Sequence, residues 1–146
     1  MRSRQNPRGC GNNTLIGGNN SGGGTVTNFL IGAALSMKDS AHAGDNTLIA
    51  GTAAAGSTVS NDMWGNAQII DGIFINGSND IPSSSKVTLG QDTFIFKDTG
   101  TQTVGTQNFI HDFSQSQHDV IEFAGVFDGA NTHHLIQPAR YQPRRR

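Results

Sequence analysis

The chain has 146 residues, of which 34% are apolar, 19 are glycine and 13 are asparagine. That leaves too little apolar material for an ordinary two-layer core, but enough for thin stacked β-coils that bury one or two residues each. The formal charge of −1 hides a segregation, because seven of the ten Lys and Arg lie at the ends (Arg2, Arg4, Arg8, Arg140, Arg144, Arg145, Arg146) and the body sets Lys38, Lys86 and Lys97 against all eleven acids. Such a body disfavours nucleic acid and suits a hard cation that takes oxygen ligands; Cys10 is alone, which excludes an internal disulfide, and no run is apolar enough for a membrane span or a signal peptide.

Residues 1–8 (MRSRQNPR) read as a disordered lead. The string N/D-x-U-I, with U a large apolar residue, then recurs as Asn13-Thr-Leu-Ile, Asn28-Phe-Leu-Ile, Asn46-Thr-Leu-Ile and Asp92-Thr-Phe-Ile, with a looser copy opening at Ala67. The copies at 13, 28, 46 and 67 are 15, 18 and 21 residues apart. A unit near that length, with one short apolar strand and a Gly-rich corner, predicts β-coils that bury their apolar residues only by stacking. The triplets Thr25-Val-Thr, Ile73-Phe-Ile, Phe94-Ile-Phe and Val120-Ile-Glu are β-branched and aromatic, which predicts strands. The only stretch compatible with helix is 30–43, where Ala33, Ala34, Leu35 and Met37 interrupt the alternation. Turn chemistry fills 76–85 (NGSNDIPSSS) and divides coils at 9–75 from a second segment at 86–127, within one domain spanning 9–127. Residues 128–146 read as a tail. The expected fold is all-β, a parallel β-roll or β-solenoid of short strands and Gly/Asn-rich turns.

Between residues 90 and 125 three submotifs follow in order: Gly90-Gln-Asp92-Thr-Phe-Ile-Phe96, Ile110-His-Asp112-Phe113 and His118-Asp119-Val-Ile121-Glu122-Phe123. This segment resembles the C-terminal region of serralysin-type proteins, in the RTX or haemolysin-type calcium-binding repeat family. The family nonapeptide, G-G-x-G-x-D-x-U-x, is matched more loosely by Gly9-Cys-Gly11-Asn-Asn13-Thr-Leu15 and by Ala43-Gly44-Asp-Asn46-Thr-Leu48, with Asn for Asp. The resemblance implies Ca²⁺ as the bound ion, and a non-catalytic module of a secreted bacterial protein, exported unfolded by type I secretion and working beside a parent enzyme or a surface partner. It places metal ligands at Gly90, Asp92, Asp112 and Asp119, and weaker corners at Gly9, Gly11, Asn13, Gly44 and Asn46. An amide oxygen is a neutral and weaker ligand than a carboxylate, so several of the upper corners are expected to be held by side-chain amide hydrogen bonds instead. Read without the family, Asp112 closes an Asx-turn, Asp119 starts a strand, Glu122 faces solvent, and Asp62, Asp80 and Asp98 are loop acids. The end of the chain, Pro138 to Arg146, departs from the apolar, acidic export signal that the family implies.

Catalytic motifs are missing. There is no H-E-x-x-H among His42, His111, His118, His133 and His134, and no G-x-S-x-G, Walker loop or C-x-x-C, so no enzyme is expected. His111 and His118 flank the Asp112/Asp119 pair and raise a transition-metal site as an alternative to exposed turn histidines. Two other functions fit the same coils. One is a metal-free β-helical adhesin or surface-binding module held by Asn and Thr ladders. The other is a polysaccharide-acting β-helix enzyme, which needs carboxylates such as Asp45, Asp71 and Asp92 stacked on one face.

Overall fold

The computed structural model describes residues 9–77, 80–98 and 106–125; the expected lead at 1–8 and the tail at 128–146 lie outside them. Among the described residues the regular elements are strands, joined before β10 by a 3₁₀ turn at Gln115–Gln117. Sheet I orders β1 (Thr14–Ile16), β4 (Thr47–Ile49), β8 (Thr93–Asp98) and β10 (Val120–Gly125). Sheet II orders β2 (Gly24–Ile31), β5 (Ser57–Trp64) and β9 (Thr106–Ile110), and sheet III orders β3 (Ala34–Met37), β6 (Ala67–Ile70) and β7 (Ile73–Phe74). Every pairing is parallel except β6 with β7, a tight hairpin whose turn puts Asp71 and Gly72 at positive φ. No helix among the described residues is long and apolar enough to cross a membrane.

The chain visits sheets I, II and III in turn and then returns to sheet I. The first return is uniform: Leu15 pairs Leu48, Asn28 pairs Asn61, and Ala34 pairs Ala67, all at a separation of 33 residues. Later returns span 46 residues into β8, 47 into β9 and 27 into β10. The repeat is therefore longer than the spacing near 20 that the N/D-x-U-I strings suggest. Asn13 and Asn46 stand in one row of sheet I, whereas Asn28 belongs to sheet II, so the strings count sides and passes together. The stretch 30–43 forms β3 instead of helix, because Met37 and Ile70 are buried on one face in register and alternation supplies the core contact that alanine helix propensity would forgo. Two sheets run across the loop expected to divide the chain, with β4 against β8 and β5 against β9.

Two apolar clusters fill the interior. Leu30, Leu48, Met63 and Phe94 pack between sheets I and II, while Met37, Trp64, Ile70 and Ile75 pack against sheet III and the 81–89 connection. Fully burying a side chain such as Leu48 or Phe94 is worth roughly 1.5–3 kcal/mol. The passes stack so closely at the corners that glycine is obligatory in places. A Cβ at Gly44 would collide with the Gly11 carbonyl, and one at Gly90 with the Gly44 carbonyl.

Candidate functional site

The corner preceding sheet I lines up Asn13, Asn46, Asp92 and Asp119, each just before its strand. The backbone N–H of Asn13 donates to Asn46 Oδ1 (3.0 Å), that of Asn46 to Asp92 Oδ1 (2.8 Å), and that of Asp92 to Asp119 Oδ1 (2.9 Å). Meanwhile each following strand donates back, Thr47 to the Asn13 carbonyl, Thr93 to Asn46 and Val120 to Asp92. Gly9, Gly11, Gly44 and Gly90 share this corner, through the bridges Gly9 to His42 and His42 to Thr88 and the close Gly11, Gly44 and Gly90 contacts. Of the residues expected as ligands from resemblance, all but Asp112 thus lie in this corner, in three successive passes with Asp119 in a fourth.

What the amide nitrogens do in the upper rungs defines the lower one. Asn13 Nδ2 donates to the carbonyls of Cys10, Gly11 and Gly32, and Asn46 Nδ2 to those of Gly44 (2.8 Å) and Gly65 (2.9 Å). In each case the amide nitrogen gathers carbonyl oxygens turned into the corner. At Asp92 the same position carries Oδ2, an oxygen lying against Gly65, fully buried and without a hydrogen-bond partner among the described residues.

Asp112 reaches this region from the end of β9. Its Oδ1 accepts the Gly65 N–H and its Oδ2 the Asn66 N–H, both at 2.8 Å, while Asn66 Oδ1 accepts the Gly90 N–H. Asp119 completes the group, its Oδ2 accepting the Ser114 N–H at 2.8 Å. All three carboxylates are buried, and among the described residues no Lys or Arg pairs with them. Burial pushes Asp92 up to about 7, opposed by the Asn46 backbone hydrogen bond and reinforced by the charges of Asp112 and Asp119. Burial likewise raises Asp112, against the Asn66 and Gly65 amides, and Asp119, against the Asp92 and Ser114 amides. A carboxylate in this position is stable when protonated or when a cation lies beside it. No three His, Cys, Asp or Glu side chains among the described residues converge in the arrangement of a ready-made metal centre.

A second row of amides joins sheet I to sheet II. Asn28 Nδ2 donates to Asn61 Oδ1 (2.8 Å), Asn61 Nδ2 to Asn108 Oδ1 (2.7 Å), and Asn61 also closes on both the N–H and the carbonyl of Gly51.

His111 and His118 do not share a site with Asp112. His111 lies on the outer side of sheet II, its Nε2 2.8 Å from Asp62 Oδ1 and its Nδ1 2.9 Å from Asn76 Oδ1, and its ring stacks on Trp64 at 4.1 Å. His118 is exposed at the end of the 3₁₀ turn, where its carbonyl accepts from Gln91. Asp62, expected in a loop, is in β5, between Asn61 and the buried Met63. The signal that places it was in the sequence: Thr27-Asn-Phe-Leu-Ile-Gly32 repeats 33 residues later as Ser60-Asn-Asp-Met-Trp-Gly65. Of the three acids for a stacked enzymatic face, Asp45 is exposed and accepts from Gln91, Asp71 is in the β6–β7 turn and accepts from Asp39, and Asp92 is buried. Glu122 is exposed. No protein-family model, no curated protein and no solved structure matches the chain.

Proposed function

We propose that the chain is a non-catalytic, calcium-binding β-solenoid module of the RTX kind, from a secreted protein, in which Ca²⁺ completes the Asp92 corner. In this reading the three sheets are the sides of a thin parallel solenoid, and one visit to each of them is a coil. The observation that carries it is the exchange of an amide nitrogen, at Asn13 and Asn46, for the unpartnered Oδ2 of buried Asp92. Where the upper rungs place an amide nitrogen, this one places an unpartnered carboxylate oxygen, within electrostatic reach of two further buried carboxylates. Such a cluster keeps its charge only with a cation, and an all-oxygen, carboxylate-rich set suits Ca²⁺. Asp92, Asp112 and Asp119 would hold the ion. When bound, it supplies the positive charge that cancels their repulsion, and because the unfolded chain has no such cluster, binding free energy adds to folding.

A metal-free β-helical adhesin is the second reading. It is favoured by the fact that every oxygen of the three carboxylates other than Asp92 Oδ2 already accepts an amide hydrogen. A proton on Asp92 then closes the corner. Thermal melts at pH 8 in chelator, Ca²⁺ or Mg²⁺ separate the two. The calcium reading expects a Ca²⁺-selective rise in Tm that Asp92→Asn abolishes; a melt indifferent to Ca²⁺ overturns it in favour of the adhesin.

A further inference from the structure

Outside the carboxylate corner, the outer face of sheet II carries a second cluster. Register aligns Phe29 with Asp62 and Asp62 with Phe109, one from each strand. Phe29 and Phe109 are 64% and 48% exposed, although each precedes a buried or half-buried core residue, Leu30 and Ile110. Beside this row Trp64 is buried under the His111 ring, and Phe74, 52% exposed, meets Trp64 edge-on at 6.1 Å. Asp62 and Asn76 clamp His111 from both sides, so its ring, which also lies 6.4 Å from Phe109, is held in a fixed plane. On the other side of the Phe29–Asp62–Phe109 row, register aligns Thr27, Ser60 and Gln107, a line of hydroxyl and amide groups.

We infer that this face binds a neutral polysaccharide, laid across the strands, with sugar rings stacked on Phe29 and Phe109 and a hydroxyl between them donating to Asp62 Oδ2, the oxygen that His111 leaves free. Strands are about 4.8 Å apart, so the two phenyl rings are set about 10 Å apart, two strand spacings. That span suits two stacked rings of one chain with a polar contact between. The pattern alternates rings with hydrogen-bonding groups instead of forming one apolar patch, which fits the mixed apolar faces and hydroxyl edges of a pyranose. Charge selects among glycans. Asp62 is central, and the body holds eleven acids against three lysines, so a polyanionic chain is repelled. The inference does not rest on calcium, since Phe29, Asp62 and Phe109 make no hydrogen bond to Asp92, Asp112 or Asp119 among the described residues.

The test titrates the full chain, in chelator and again in Ca²⁺, with neutral hexasaccharides of β-linked glucose, mannose and N-acetylglucosamine, and with polygalacturonate as the acidic control. Trp64, the single tryptophan, reports through the stacked His111, and calorimetry gives the affinity. Saturable binding of a neutral hexasaccharide is expected, weakened roughly tenfold by Phe109→Leu and by Phe29→Leu, which keep apolar bulk and remove the ring, and unchanged by Thr25→Ala on the same strand. The inference is overturned if no neutral glycan binds, if the leucine variants bind like the parent chain, or if polygalacturonate binds as well as the neutral chains. It is equally overturned if the aromatic face instead drives self-association, seen as a concentration-dependent sedimentation coefficient that Phe109→Leu removes.

Discussion

Asp92 differs from Asn46 by one atom in kind, and the oxygen it puts in place of the nitrogen has no hydrogen-bond partner among the described residues. Asn46 uses Oδ1 to accept the Asn13 N–H and Nδ2 to donate to two carbonyls; Asp92 keeps the first role and loses the second. Asp92→Asn is therefore expected to stabilise the metal-free protein at pH 8 by about 1–3 kcal/mol, the usual cost of a buried polar atom left unpaired. Asp92→Ala removes the acceptor for the Asn46 N–H as well and is expected to destabilise it by a similar amount. Urea unfolding in chelator measures both, and an Asp92→Asn variant weaker than the parent chain would contradict the account of the corner. The sequence marked Asp92, Asp112 and Asp119 through the family resemblance, and their proximity is what the structure adds. It left Asp62 among loop acids, because an acid between Asn61 and Met63 looks local until the row 33 residues earlier is laid beside it.

The strands were legible where β-branched triplets alternate, as at Thr25-Val-Thr and Phe94-Ile-Phe, and less so where alanine blurs the alternation in β3. Which strand lies beside which was harder. The strings at Asn13 and Asn28 look like equal rungs, yet one caps sheet I and the other braces sheet II, since both corners solve one problem with one residue type: a buried backbone that needs a side-chain partner. The separations of 46 and 47 residues were hidden by the β7 hairpin and the 76–92 connection, which carry no repeat. Asn61 is the middle of the sheet I to sheet II row, serving Gly51 on two atoms and both neighbouring amides. Replacing it by alanine is expected to cost at least about 2 kcal/mol in urea unfolding, and more than Asn28→Ala at the end of the row, because the Gly51 N–H and carbonyl are left buried and unpaired. Equal losses at the two positions would mean that the row is not what braces the sheets.

A stack held by buried acids has an unusual dependence on pH. Asp92, Asp112 and Asp119 all hold protons more tightly folded than unfolded. Their contribution is fully present below the unfolded carboxylate value of 3.8 and is lost as pH rises through the folded values, about 7 for Asp92. In chelator, stability is thus expected to fall between about pH 4 and pH 7, by up to about 1.4 kcal/mol per pH unit from Asp92, with Asp112 and Asp119 adding in the same direction. Thermal melts across that range measure it, and a Tm that is flat or climbs toward about pH 7 would count against the buried-acid corner. Calcium at pH 8 is expected to restore what acid gives at pH 5.

The inner corner also runs one way. At the residue just before each strand the backbone N–H is answered by a side chain from the pass that comes later in the chain, Asn13 by Asn46, Asn46 by Asp92 and Asp92 by Asp119. A polypeptide emerging from its amino end at a ribosome therefore leaves each of these N–H groups unanswered until the next pass has followed it out. The carboxylates arrive last, so the row is completed only by the segment whose buried acids make it the most sensitive to protons.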